Sequence, residues 1–182
     1  AAGYFDKAIH FNSNYTAAYI ENGLVNKEMR RIDAAMQNFM KAYGLDPDNE
    51  TVIKELMELN YHYRQFQKAI DFAQKCRGCG NKDRIIAMSY FGMEDYGKAE
   101  KILLEVVSKN DNDAEVIYTL ARTYLEMGLE AKAIPYYEKA IAADGTKSRW
   151  SFELGLLYYN TDNYKNAVVY FNKAAEQGFI RS

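Results

Sequence analysis

An all-α array of antiparallel helix hairpins is predicted by three features of the sequence. The first is an internal period. Ala35, Ala69, Ala99, Ala133 and Ala167 recur at spacings of 34, 30, 34 and 34 residues, and a period of that length marks a repeat protein. The second is the pattern inside each period. Apolar and small residues fall at relative positions 4, 7, 8 and 11, and again at 20, 24 and 27. Each set is one face of a helix, so each period reads as two helices joined by a polar turn such as Glu94-Asp95 or Asp162-Asn163. The third is composition. Two prolines and eleven glycines in 182 residues suit a mostly helical chain, and 48% apolar with 26% charged residues suits a folded one.

Taken in order, residues 1–15 place Phe5 and Ala8 where a second helix has its apolar stripe, so they are expected to be the second helix of a truncated repeat. Unit 16–49 carries Tyr19, Gly23, Ala35, Phe39, Ala42 and Pro47 at the marker positions. Unit 50–79 keeps only Leu56 and Ala69 clearly, and unit 80–113 keeps Ala87, Tyr90 and Ala99. Unit 114–147 has Leu120, Ala121, Tyr124, Ala133, Tyr137 and Ala140, and unit 148–181 has Leu154, Gly155, Tyr158, Ala167, Phe171 and Ala174. The small residues Gly23, Ala87, Ala121 and Gly155 let the two helices of a hairpin approach, and large aromatics fill the space beside them. Asn112-x-x-Glu115 has the spacing of a helix-start capping box, and Asp48 can cap the helix before it in the same sense. Gly78, Gly145 and Gly178 are placed to end second helices. Unit 50–79 is four residues short, close to one helical turn. Its second helix is therefore expected to stop a turn early, disturbing the local stacking angle. Pro135 removes one backbone donor early in another second helix and is expected to tilt its start.

These markers together resemble the tetratricopeptide repeat, with its W-x2-L-G-x2-Y, A-x3-F, A and P pattern. The resemblance runs over nearly the whole chain, although the first Trp of the pattern is absent from every unit and Trp150 lies one place before it. It implies an open right-handed superhelix, a solenoid of hairpins, forming one array over 1–182. It also implies a protein-interaction scaffold whose first helices line a concave groove. One branch of the family uses a basic clamp of Lys, Asn and Arg on a peptide's terminal carboxylate. Ile20 and Leu24 stand at the first positions of that clamp here, so that activity is not carried over.

Other classes lack their chemistry. A formal net charge of −2 does not supply the basic face that nucleic acid needs. No apolar run reaches the ~20 residues required to span a bilayer. The sequence starts at Ala1 without a signal-like segment, so a processed form or a fragment is expected. No catalytic set stands out, no cofactor loop is present, and the chain is read as not an enzyme. His10 and His62 are the two histidines; Glu58 and His62 are spaced to pair on one helix face. Asn110-Asp111-Asn112-Asp113 lacks the Gly and distant Glu of a calcium loop and reads as turn and cap residues. The sequons at Asn14 and Asn49 also fall at helix starts. Cys76 and Cys79 cannot complete a zinc site, and a redox C-x-x-C usually sits at a strand-to-helix junction where this sequence reads as no strand. Cys76 is expected as a small core residue and Cys79 in a turn.

The remaining signal is the other face of the first helices, at relative positions 5, 9 and 12. It reads Ile20, Leu24, Lys27; Lys54, Glu58, Tyr61; Arg84, Met88, Phe91; Tyr118, Arg122, Leu125; and Phe152, Leu156, Tyr159. A face turned to solvent should be polar, and most of these are not. Two readings stand: the face is the wall of a ligand groove, or neighbouring first helices bury it between them, Leu24, Leu125 and Leu156 above all. Under the first, Lys54, Tyr61, Arg84, Met88, Phe91, Tyr118, Arg122, Phe152 and Tyr159 contact a partner protein or peptide. Arg84, Met88, Tyr118, Arg122 and Phe152 are then expected near one another, to suit a peptide with an acidic group and an apolar anchor. A competing function is structural: a slice of a longer solenoid that self-associates through uncapped terminal helices, since Val168, Tyr170, Phe171 and Ala175 make the last helix apolar over a wide arc. A third is the regulatory part of a larger protein with a catalytic domain elsewhere.

Overall fold

The computed structural model describes residues 3–4 and 15–179, and the helix expected over 1–15, with His10, lies almost wholly outside them. Among the described residues there are ten helices and no strand: α1 Thr16–Glu28, α2 Ile32–Leu45, α3 Glu50–His62, α4 Phe66–Lys75, α5 Lys82–Gly92, α6 Tyr96–Lys109, α7 Ala114–Glu126, α8 Glu130–Ala143, α9 Ser148–Asn160 and α10 Tyr164–Glu176. The fold class is therefore all-α, built from the expected hairpins. None of these helices is long and apolar enough to cross a membrane. The chain divides into two compact units, Ala1–Ser89 and Tyr90–Ser182, with the boundary inside α5. In the first, α1 packs on α2, α2 on α3 and α3 on α4. In the second, α6 packs on α7, α7 on α8, α8 on α9 and α9 on α10.

The turn inside every hairpin has one design. Three residues link the helices, and the middle one is left-handed: Arg30 (φ 57°), Arg64 (57°), Glu94 (63°), Gly128 (71°) and Asp162 (59°). Each precedes its marker alanine by five residues. The following residue donates back to the carbonyl three places before the helix cap: Arg31 to Asn26 at 2.8 Å, Gln65 to Asn60 at 2.8 Å, Asp95 to Tyr90 at 3.0 Å, Leu129 to Tyr124 at 2.8 Å and Asn163 to Tyr158 at 2.9 Å. This is the Schellman closure, which prefers glycine at its left-handed residue. Only one of the five turns has it. Arg30→Gly, Arg64→Gly and Glu94→Gly should each stabilise the protein by ~0.5–1 kcal/mol, the left-handed penalty less the entropy of glycine. Asp162→Gly should gain less, because Asp tolerates this region. Thermal melts of the single variants test this, and Gly128→Ala should move the other way.

Burial follows the first stripe in four units of five. At positions 4, 7, 8 and 11, Tyr19, Asn22, Gly23 and Asn26 are buried in α1, Ile53, Leu56, Met57 and Asn60 in α3, Ile117, Leu120, Ala121 and Tyr124 in α7, and Ser151, Leu154, Gly155 and Tyr158 in α9. In α5 the pattern shifts: Ile85, Ala87 and Ser89 are buried while Asp83, Ile86 and Tyr90 are half-buried. Ile85 joins the core of the first unit with Phe72, Cys76 and Cys79. The five marker alanines are at most 2% exposed. Ala133→Leu should therefore overpack its helix crossing and cost ~1–3 kcal/mol, whereas Lys132→Leu, one residue away and exposed, should change the urea midpoint little.

Several local expectations need correction. The residue capping α7 is Asp113, which accepts from Val116 N–H at 3.2 Å, not Asn112. Asn49, not Asp48, is the capping residue at the next junction: it caps α3, the helix that follows, and accepts from Val52 N–H at 3.3 Å. In both cases the residue next to the helix has the extended backbone that brings its side chain over the first turn. Gly178 (φ 79°) does end the last helix, whereas α4 ends at Lys75, before Gly78. That helix has 10 residues where α2, α6 and α8 have 14, the early stop expected of the short unit. Pro135 lies early in α8, as expected, and the helix continues to Ala143. Cys76 is in the core and Cys79 in the loop after α4, as expected, and the two are joined as a disulfide with Cα atoms 5.6 Å apart. Glu58 accepts from Asn81 at 3.1 Å rather than pairing with His62.

Candidate functional site

The face predicted as a groove wall is neither solvated nor fully buried. Of the fifteen residues, Lys54, Leu156 and Tyr159 are exposed and the others are half-buried. In the first unit, part of the face is packing. Ile20, Leu24 and Tyr61 rest against the hydrophobic core, and Lys27 is paired with Glu55 at 2.6 Å across adjacent hairpins. Tyr61 and Met88 are brought together, the phenol donating to the thioether sulfur at 3.7 Å. Lys54 stands in the open, and Arg84 is half-buried on α5.

In the second unit the face is organised around Glu153. α9 follows α7 across one hairpin, and this puts Tyr118, Tyr137, Arg149 and Glu153 at one point. The Tyr118 hydroxyl donates to Glu153 Oε2 at 2.7 Å and the Tyr137 hydroxyl to the same oxygen at 3.2 Å. Arg149 Nε donates to Oε1 at 2.8 Å. Three donors on a half-buried carboxylate replace the water it gave up. The Tyr118 ring stacks on Trp150 with centroids 4.5 Å apart and meets Tyr137 edge-on at 5.7 Å. Arg122 pairs with Glu126 at 2.8 Å and lies over the Phe91 ring at 5.3 Å. Phe152 stacks on Phe179 at 4.5 Å and tilts against Phe171 at 5.6 Å. Tyr159, 55% exposed, meets Tyr164 edge-on.

Sequence reasoning missed Glu153, Trp150 and Phe179. The Arg149-to-Glu153 interval of four was the available signal, since it sets both on one helix face. No spacing rule reaches from Tyr118 to Glu153. Among the described residues no group of His, Cys, Asp and Glu is placed to hold a metal ion.

Burial holds several phenol protons tightly. Desolvation first, and then the Glu153 charge, push Tyr118 and Tyr137 well above the usual tyrosine range. Burial and a hydrogen bond to Glu100 push Tyr124 up to about 12, and Tyr158 is raised by burial and its bond to Glu138. A raised folded-state value makes the protonated form favour folding. The contribution is full below the unfolded pKa of about 10 and is lost as pH rises through the folded values. The urea midpoint should therefore fall steeply above about pH 10, and Tyr137→Phe should flatten that fall. A midpoint indifferent to pH up to 12 would contradict the burial of these groups.

The repeat array is matched by known proteins. A tetratricopeptide repeat family model matches residues 86–146 and 118–178, which together make up more than half of the chain, and a second one matches 16–49. The chain belongs to the tetratricopeptide repeat family, a family of protein-interaction repeats. A curated relative is the TPR repeat-containing protein YpiA of Bacillus subtilis (strain 168), 26% identical over 109 residues, or 58% of this chain. The chain spans about a quarter of that protein's length, 26%. Among solved structures, YrrB, described as a TPR protein with an unusual peptide-binding site, is similar at TM-score 0.74 and 20% identity, covering 98% of this chain and 94% of its own. MamA is similar at TM-score 0.77 and 25% identity, covering 89% and 91%. Pseudomonas aeruginosa pilF gives 0.73 and 21%, covering 91% and 78%. These likenesses establish the fold.

Proposed function

We propose that the chain is a non-enzymatic scaffold that holds an extended peptide or a helix of a partner protein against its first helices. The observation that carries this reading is the make-up of that face in the second unit. Phe91, Tyr118 and Phe152 are half-buried and Tyr159 is exposed, and the guanidinium groups of Arg122 and Arg149 stand among them. Aromatic and arginine side chains held in place by their neighbours are the residues that dominate interface energy, because little conformational entropy is left to lose on binding. Lys54, Tyr61, Arg84 and Met88 supply the corresponding face of the first unit. Family membership supports the reading, and so does the peptide-binding site ascribed to YrrB. A photo-crosslinking amino acid placed at Tyr159 should capture a partner, while placement at Lys132 should capture none. Capture at Lys132 alone would put the partner on the outer face and end this proposal.

A second reading, self-association, is favoured by one feature. Phe152, Leu156, Phe171, Ala174, Ala175 and Phe179 line an apolar slot on the last hairpin, and Val168 and Val169 of the same helix α10 are 57% and 55% exposed. Sedimentation velocity over a range of concentrations tests it. Association that vanishes in Leu156→Glu supports it, and a monomer at every concentration removes it.

A further inference from the structure

The Cys76–Cys79 disulfide closes the junction left by the shortened α4. Cys76 caps α4, its N–H donating to Phe72 O at 3.1 Å, and the Cys79 carbonyl accepts from Lys82 N–H at the start of α5 at 3.2 Å. The bridge therefore stands where the other hairpins have a further helical turn. Both cysteines belong to the first unit's core, but only Cys79 also lines a pocket. Cys76 is 0% exposed inside the first unit's core. Cys79 is 8% exposed and lines an open pocket with Glu50, Lys54, Gly78 and Asn81. Gly78 N–H donates to Glu50 at 2.9 Å, which ties the loop to the first residue of α3 across the pocket wall. The Lys82 ammonium donates to the Cys76 carbonyl at 3.2 Å, placing a positive charge next to that residue.

We propose that Cys76–Cys79 is a thiol–disulfide exchange site that takes a dithiol reductant through the pocket beside Cys79. A thiolate of the dithiol attacks the Cys79 sulfur. A sulfur–sulfur bond forms to Cys79 as the bond to Cys76 breaks, and Cys76 leaves as a thiolate with Lys82 nearby, then takes a proton. The second thiolate of the dithiol attacks its own partner sulfur in the mixed disulfide, closing the oxidised dithiol and releasing Cys79. Two electrons and two protons pass from the dithiol to the protein. Attack is directed at Cys79 because, of the two cysteines, only it lines the pocket. The pocket shares Lys54 with the proposed peptide face, but the exchange chemistry needs no peptide bound there.

Dithiothreitol is the probe. Free thiols are counted by alkylation and mass spectrometry, with and without sub-denaturing urea, beside single variants challenged with oxidised glutathione. The protein prepared without reductant should show no free thiol and should gain two on treatment, at a rate that urea changes less than twofold. In Cys76→Ala, Cys79 should form the glutathione adduct at least tenfold faster than Cys76 does in Cys79→Ala. Circular dichroism of both variants confirms that each is folded. Two free thiols at the outset would overturn the proposal. So would reduction that accelerates with urea in step with global unfolding, because the bridge would then be closed to reagents in the native state. Equal labelling of the two single variants would overturn the route through Cys79.

Discussion

Phe39→Ala should destabilise the protein by about 3–5 kcal/mol, and Gly23→Met in the same chain should return part of that loss. Phe39 is 0% exposed. Its ring fills the space that a side chain at position 23 would take: a Cβ on Gly23 would lie 2.6 Å from Phe39 Cε1. The same two positions in the last hairpin are Gly155 and Phe171, with a Cβ on Gly155 2.7 Å from Phe171 Cδ1. In α7 and α8 they are Ala121 and Tyr137, and in α3 and α4 they are Met57 and Ala73, with the large residue on the first helix. All four of those residues are buried. Volume at the crossing is thus shared between two positions, and the 50–79 unit divides it the other way round. Gly23→Met alone should cost at least ~1–3 kcal/mol, because a buried ring cannot make room. Paired with Phe39→Ala, it copies the arrangement of the next hairpin. Urea denaturation of the two singles and the double forms the cycle. Losses that simply add would show that the two sites do not share this space.

The largest expected effect on binding belongs to Arg122→Ala combined with Tyr159→Ala. Hot-spot truncations are worth ~2 kcal/mol or more each, so the double variant should lose partner affinity by a hundredfold or more if both are hot spots. Its melting temperature should barely move. Tyr159 is 55% exposed, and the two contacts of Arg122, the ion pair with Glu126 and the ring of Phe91, are each of small net value. Tyr118 is not suited to the same test. It stacks on Trp150, packs on Tyr137 and binds Glu153, so Tyr118→Ala should weaken folding as well as binding. The readout is capture of partners by wild type and double variant side by side, followed by titration of the captured partner. Equal recovery by both proteins would remove this face as the binding site.

Much of the architecture was legible because a hairpin repeat is encoded locally. A period of 34 residues, small residues where helices cross and an apolar stripe at 3.6-residue spacing are statements about one helix and its immediate neighbour. They settled the helix pairs, the buried marker alanines and the early end of α4. The groove residues were legible only as a face of unusual composition. How much of that face is packing depends on the next hairpin. Ile20, Leu24 and Tyr61 turned out to rest on the core, while Lys54 and Tyr159 stayed open.

What only the tertiary structure decided is which distant residues meet. Tyr118, Tyr137 and Glu153 come from three helices, and no spacing rule joins them. Their meeting follows from how α7, α8 and α9 stack, and burial then makes the carboxylate take every donor within reach. The shift of α5 toward Ile85 and Ser89 and the joining of Cys76 to Cys79 are of the same kind. Local periodicity says which side of a helix is apolar. The angle at which the helix meets its neighbours, and so the pairs that touch, comes from packing volume summed over several elements.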